Sequence, residues 1–492
     1  MEKHAQHNTI FGPPGTGKST EIIKRFKGYV EQGYSKDRIG LVSFTKASAQ
    51  ELADRIGVKS GKNISTIHSM CYRICEVIRE QVVGWQHLRE FSKITKLEFK
   101  SANPDDAETQ MTEGDFYLAL HGLAVATRRP YDDVYMDSER IGSLAQFLWF
   151  CDAYDDWKKA SGYVDFGDML YNALSLPAPD FDVLFVDEAQ DLSTLQWDVI
   201  RHWCQTIPIV HVAGDDDQAI YVWGGADPEG MTKWETEFKA SRTVLGQSWR
   251  IPKSVHGLAQ RIIKRVGSRV DKPYESRPEI GTLEQLNSPW NIHVKHGEDV
   301  LILYRSHCLR EDIEDVLINR GIPYITDNGE AGMLNGKLAK SVAQYHKLLQ
   351  NIEHSGMPMM SERELRMLAR GMKYNYRIAV EKEDWTRLGA EWYNVFQADT
   401  AELMFLKNIY EKYGARVQPT IHLSSIHGSK GREADHVILV NGVTEKTDTN
   451  MALSQLNYDA EMRTFYVGVT RARHRLTLVD GPSPLKELRI AY

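Results

Sequence analysis

The segment IFGPPGTGKST, Ile10–Thr20, sets Gly12, Gly15, Gly17, Lys18 and Ser19 at the spacing G-x-x-x-x-G-K-[ST]. Glycines in such a loop let successive backbone N–H groups turn inward around phosphate oxygens, where a side chain would block them. Lys18 would reach the β- and γ-phosphates of a nucleoside triphosphate, and the Ser19 hydroxyl would hold Mg²⁺. Pro13, Pro14, Thr16 and Thr20 complete the loop. Further along, FDVLFVDEAQD runs a hydrophobic strand, Val183–Val186, into Asp187 and Glu188. Asp187 would bind the Mg²⁺, and Glu188 would orient and deprotonate an attacking water. A third hydrophobic run, IVHVAGDDDQ, ends near Gln218, a strand-end amide able to sense a γ-phosphate. The chemistry is phosphoryl transfer. Each piece alone has a plainer reading, a glycine-rich turn or an acidic turn capped by Asp191, but the two halves together favour a nucleotide site.

Elements must bring these residues together. Thr9, Ile10 and Phe11 read as a short buried strand, and STEIIKRFKGYV after the loop has the apolar spacing of a helix. That is the strand–loop–helix context the phosphate loop needs. Tyr221 and Trp223 alternate beyond Gln218, which predicts that they share one face of an extended segment.

Composition bounds the class without choosing the function. A chain of 492 residues suggests two to four domains, each with its own core. Hydrophobic content of 42% and charged content of 26% are those of an ordinary soluble globular chain. No apolar run approaches the ~20 residues of a membrane span and the N-terminus lacks a signal-peptide pattern, so a cytoplasmic location without membrane contact is expected. Five scattered cysteines suit a reducing compartment. Cys71 and Cys75, with His68 just before them, could hold a metal, but no second ligand pair lies near and a packed helix is the better reading. A net charge of −7 does not announce a nucleic-acid binder, nor exclude one, because a groove can be locally basic or grip through aromatics.

A series of segments in a telling order adds to this. They are SFTKASAQEL (Ser43–Leu52), STIHSM (Ser65–Met70), VDFGDML (Val164–Leu170), VDEAQD (Val186–Asp191), GDDDQAIYVW (Gly214–Trp223), LGQSWR (Leu245–Arg250), ILYRS (Ile302–Ser306), IHGSKGREADHV (Ile426–Val437) and YVGVTRAR (Tyr466–Arg473). Together they resemble the UvrD/Rep/PcrA-like superfamily 1 DNA helicases, over Gly12 to about Val479. The resemblance implies an α/β chain with two RecA-like P-loop motor domains, ATP between them, and a mainly helical insertion in each. The implied boundaries are 1–78 and 163–248 for motor 1 around an insertion at 79–162, then 249–328 and 419–492 for motor 2 around a shorter insertion at 329–418.

The same resemblance implies roles residue by residue. Lys18, Ser19, Asp187, Glu188 and Gln218 would serve ATP and Mg²⁺ from the first motor. Arg250 and Arg471 would act as arginine fingers from the second motor's side, and Glu433 would contact the ribose. Phe44, Tyr221 and Trp223 would stack on or separate bases of single-stranded DNA, while Thr66, His68 and His427 would touch its backbone. Single-stranded and tailed duplex DNA are the implied partners, replication or repair proteins further ones, and a monomer is expected.

Three departures affect base recognition and DNA contact. Little chain precedes Gly12 for an adenine-reading glutamine, Thr20 stands where an arginine commonly stacks on adenine, and Gly224 replaces the arginine of the usual Trp-Arg-Gly. Trp249 stands where a tyrosine usually precedes the finger, so stacking on Trp249 with weak discrimination among bases is the expectation. The leading reading is an ATP-driven helicase moving 3′→5′. A translocase that strips proteins from DNA but unwinds weakly, and a non-motor ATP switch, remain as alternatives.

Overall fold

The structure, a computed structural model, describes residues 6–100, 111–138, 140–327, 329, 332–414 and 417–481. The polar, acidic stretch SANPDDAETQMTEGD within the first insertion lies outside the described residues as far as position 110. The chain divides into two compact units, Met1–Glu279 with Asn450–Thr470, and Ile280–Thr449 with Arg471–Tyr492.

The first unit is built on six parallel strands, β1 (Gln6–Phe11), β2 (Ile39–Ser43), β3 (Ile64–Thr66), β4 (Val183–Asp187), β5 (Ile209–Gly214) and β6 (Ser241–Val244), in the order β3-β2-β4-β5-β1-β6. β2, β4 and β5 are buried along their whole length, as a parallel sheet covered on both faces requires. That explains why their sequences are mostly apolar from end to end. One face packs Ile22, Phe26, Leu52 and Phe185 together, and the other gathers Trp197, Trp203 and Trp234 around Val186 and Val212. β1 lies between β5 and β6, and β4 lies beside β5, so the carboxyl ends of β1, β5 and β4 are neighbours. Loops at that edge are where an open α/β sheet binds ligands.

Between β3 and β4 a helical layer has its own core of Leu88, Phe91, Phe147, Phe150 and Tyr154. Its helices start where the sequence supplies caps: Thr112 with Asp115 opens Glu113–Thr127, and Ser143 with Gln146 opens Leu144–Ser161, each as a reciprocal capping box.

The second unit repeats the theme with six parallel strands, β7 (Thr282–Leu286), β8 (Val300–Tyr304), β9 (Tyr324–Thr326), β10 (Ile421–Ser425), β11 (Ala434–Asn441) and β12 (Ala472–Asp480), ordered β7-β12-β11-β8-β10-β9. Helices Lys337–Ser355, Glu362–Ala369, Tyr374–Glu381 and Thr400–Tyr413 lie between β9 and β10 in sequence. They share one core with the sheet, in which Tyr345, Phe396 and Phe405 join Ile302 and Ile438. Two parallel-sheet α/β units with helical insertions are the architecture the sequence resemblance implies. Among the described residues no helix is long and apolar enough to cross a membrane.

Candidate nucleotide and DNA site

The phosphate loop leaves the end of β1 and closes on helix Lys18–Glu31. Gly15 and Gly17 take φ of +73° and +85°, backbone that only glycine adopts without strain. A β-carbon on Gly15 would stand 2.4 Å from that of Arg250. The loop braces itself through Thr16, whose hydroxyl donates to the Pro13 carbonyl at 2.7 Å. It is also strapped from outside: the Ser248 hydroxyl donates to the Pro14 carbonyl, and the Trp249 N–H to the Gly15 carbonyl, each at 2.8 Å. Ser248 closes the expected first motor and Trp249 and Arg250 open the expected second, yet all three lie in the first compact unit, which continues to Glu279. The Trp249 indole remains 72% exposed beside the loop.

Lys18 Nζ lies 2.7 Å from Glu188 Oε1 and 3.7 Å from Asp187 Oδ1. Burial works against the Lys18 charge, but Glu188 and Asp187 outweigh it and hold the ammonium protonated well above its ordinary range. Burial pushes the Asp187 carboxyl up despite the attraction of Lys18, with Glu188 adding to the rise. Asp187 Oδ1 is a buried oxygen with no hydrogen-bond partner among the described residues. An unsatisfied buried carboxylate oxygen suits a hard, oxygen-seeking cation, so Asp187 fits Mg²⁺, with the Ser19 hydroxyl at the start of the helix after the loop as the expected second ligand. Glu188 sits at φ 52°, a left-handed conformation that a non-glycine residue holds only when its surroundings enforce it. Gln190 contributes to that, donating to Glu188 Oε2 at 2.6 Å while its amide oxygen accepts from the Asp215 N–H at 3.0 Å.

Gln218 follows the β5 end in a short 3₁₀ turn, and its amide donates to Asp215 Oδ2 at 2.8 Å. Gln190, Asp215 and Lys272 around this turn were not legible as site residues. Thr20 accepts from Arg55 at 3.0 Å, so helix Lys46–Ile56 delivers a guanidinium to the start of the helix after the loop.

The aromatics expected to meet DNA form a row in the first unit. Phe44 and Tyr221 lie 5.4 Å apart between ring centroids, Tyr221 and Trp223 6.2 Å, and Trp223 is 52% exposed. Tyr221 and Trp223 do not sit on an extended segment: Val222–Gly224 is a 3₁₀ turn, closed by Gly224 N–H on the Tyr221 carbonyl and ended by Gly225 at φ +93°. Alternation misled because the glycine pair permits a turn there. Thr66 is buried and caps helix Ile67–Ile74 through Ser69 N–H. His68, whose pKa burial lowers to about 4, meets the edge of Phe166 at 5.5 Å. Phe166 is 61% exposed in VDFGDML, a further aromatic the sequence reading did not single out.

In the second unit, Glu433 is exposed and 3.7 Å from Arg473, next to Gly431 at φ +84°. Arg471 is buried, donating to the Arg432 carbonyl at 3.4 Å, while its own carbonyl accepts from Ala434 N–H. His427 is half-buried in the turn after β10.

Comparisons with known proteins identify the family. Residues 1–239 match the UvrD/REP helicase N-terminal domain, and residues 386–480 the UvrD-like helicase C-terminal domain. The chain is similar to the ATP-dependent DNA helicase PcrA of Staphylococcus aureus and to that of Staphylococcus epidermidis, each 23% identical over 381 residues. The aligned part is 70% of this chain and 51% of each relative, so the chain spans about half the length of the curated relatives it matches.

Proposed function

Because the chain belongs to the UvrD/REP helicase family, we propose that it hydrolyses ATP and uses the energy to move along single-stranded DNA and separate duplex strands. The observation that carries the reading is the convergence of Lys18, Glu188 and the unsatisfied Asp187 oxygen at the ends of β1 and β4.

In this mechanism the glycine-loop N–H groups and Lys18 hold the β- and γ-phosphates. Ser19 and Asp187 would hold Mg²⁺, which would supply charge neutralisation on the phosphate oxygens. Glu188 accepts the proton of the attacking water as its oxygen bonds to the γ-phosphorus and the bond to the β–γ bridging oxygen breaks. Gln218 senses the γ-phosphate from the β5 end. Arg250, its β-carbon against Gly15, and Arg471 neutralise charge that grows on the phosphoryl group in the transition state. The exposed Trp249 ring stacks on the base and Glu433 contacts the ribose.

Phe44, Tyr221, Trp223 and Phe166 offer faces to unstacked bases, with Thr66, His68 and His427 against the strand's backbone. Stacking of this kind is worth ~1–3 kcal/mol per base and does not depend on sequence. Movement 3′→5′ rests on the family resemblance.

Strand displacement on duplexes with a 3′ tail or a 5′ tail tests the proposal. Separation that needs ATP and the 3′ tail supports it. Turnover stimulated by DNA with no separation on either substrate moves the assignment to a translocase that clears proteins from DNA, and turnover indifferent to DNA moves it to an ATP switch.

A further inference from the structure

The sequence places three carboxylates in a row at the end of a buried strand, and a cluster of that kind folds only around compensating charge. Asp215, Asp216 and Asp217 are all buried. Their counter-charge comes from a segment more than fifty residues away. Lys272, itself fully buried, brings Nζ to 3.3 Å from Asp215, 2.6 Å from Asp216 and 2.9 Å from Asp217. Arg269 forks onto Asp217 at 2.8 and 2.7 Å, and Val270 N–H donates to Asp216 at 2.8 Å.

The segment is anchored from behind by helix Gln455–Val469. Asp459 accepts from Gly267 N–H at 3.1 Å and Ser268 N–H at 3.2 Å, and the Tyr274 and Tyr466 hydroxyls meet at 3.1 Å. Lys272 therefore sits on a rigid mount, and what it holds is held firmly.

Asp215 leads in two directions toward the chemistry. Its Oδ2 accepts from the Gln218 amide at 2.8 Å. Its N–H donates to Gln190, whose amide in turn donates to Glu188. We propose that Lys272 is a positioning residue for ATP hydrolysis, anchoring Asp215 so that the Gln218 amide and, through Gln190, the Glu188 carboxylate keep the orientation turnover needs. The inference rests on the roles given above to Gln218 and Glu188.

Without the ammonium, Asp215 would keep two carboxylate neighbours and lose the charge that offsets them. Burial already raises its carboxyl above the usual range against the attraction of Lys272. A protonated Asp215 offers a donor where Gln218 now finds an acceptor. Asp215→Asn reaches the same end without touching the lysine. Oδ1 faces two donors, Lys272 and the Asp217 N–H at 3.2 Å, so the amide oxygen stays there and the new NH₂ faces the NH₂ of Gln218. Gln218 must then turn its amide over.

The test is steady-state ATP hydrolysis at saturating single-stranded DNA, with variants compared well below their melting temperatures. Gln218→Ala should lower kcat by about 10²–10³-fold. Lys272→Met and Asp215→Asn should each lower kcat by about 10–100-fold, as outer-shell losses do, while KM for ATP moves less than about threefold. Adding Asp215→Asn to Gln218→Ala should cost clearly less than Asp215→Asn costs alone, because Gln218 carries one of the two branches. Arg269→Met, which removes the fork on Asp217 alone, should lower the melting temperature and leave kcat within about threefold of wild type.

If Lys272→Met does not fold, Asp215→Asn decides, since it keeps Lys272 against Asp216 and Asp217. A harmless Gln218→Ala would end the reading of the site itself. A costly Gln218→Ala with wild-type kcat in Asp215→Asn, or with fully multiplicative losses in the double variant, would overturn the proposal while leaving that reading intact.

Discussion

Glu188→Gln removes one charge from the site and almost no volume. In the wild type, Glu188 Oε1 accepts from Lys18 Nζ at 2.7 Å and Oε2 from Gln190 at 2.6 Å. A glutamine can keep only one of these: its oxygen stays with the ammonium, and its NH₂ then faces the NH₂ of Gln190. One hydrogen bond to a charged group is lost, worth ~1.5–3 kcal/mol, and rotation of Gln190 recovers part of it. Folding therefore survives. The loss of the base is larger, about 10²–10⁴-fold in turnover. At 1.36 kcal/mol per decade that is ~3–5 kcal/mol of transition-state stabilisation. ATP affinity should hold or rise, because Lys18 no longer answers to a carboxylate competing with phosphate for the same ammonium. Calorimetric titration with ATP and Mg²⁺, run beside single-turnover hydrolysis on single-stranded DNA, separates the two effects. Hydrolysis within about threefold of wild type, or loss of binding in step with rate, would show that Glu188 is not the base.

Arg250→Ala and Arg471→Ala should each lower kcat by about 10³–10⁵-fold with little change in ATP affinity, since finger charge matters most in the transition state; equal losses in affinity, read by calorimetry, would count against both. Trp223→Ala should weaken single-strand binding by ~1–3 kcal/mol, about 5–150-fold by fluorescence anisotropy, and uncouple ATP use from strand separation; unchanged affinity and unwinding would return the ring to a packing role. Burial, aided by Arg25, lowers the His211 pKa to about 3, so folding requires the neutral ring. The sign follows: this stability is complete above the unfolded pKa near 6.5 and drains as pH falls toward 3, by ~2 kcal/mol at pH 5. Denaturant melts should show that loss between pH 6.5 and 5, and His211→Gln should shrink it; identical slopes in the two proteins would contradict it.

Much of the first half of the site was legible because its causes are local. Gly15, Gly17, Lys18 and Ser19 act within one turn of chain, and β4 delivers Asp187 and Glu188 as adjacent residues. Buried parallel strands announce themselves as apolar runs, which made β1, β4 and β5 readable, whereas the second sheet was implied by the resemblance alone. What stayed hidden depends on partners distant in sequence. Nothing local marks Lys272 in VDKPY, because its three carboxylates lie more than fifty residues earlier. Gln190 reads as one polar residue in VDEAQD until Asp215 and Glu188 are seen on either side of it. The turn under Trp223 was missed because alternation of large residues carries no record of the glycines that bend the backbone after them. Ser248 and Trp249 grip the phosphate loop from over 230 positions away, a contact that no motif at either end implies.

The most direct measurement is the rate of ATP hydrolysis with and without single-stranded DNA, wild type beside Glu188→Gln. The account predicts slow turnover by the protein alone, a rise of about tenfold or more when DNA saturates the aromatic row, and a collapse of both rates in the variant. A wild-type rate that DNA leaves unchanged, or a DNA-stimulated rate that survives in Glu188→Gln, would contradict it.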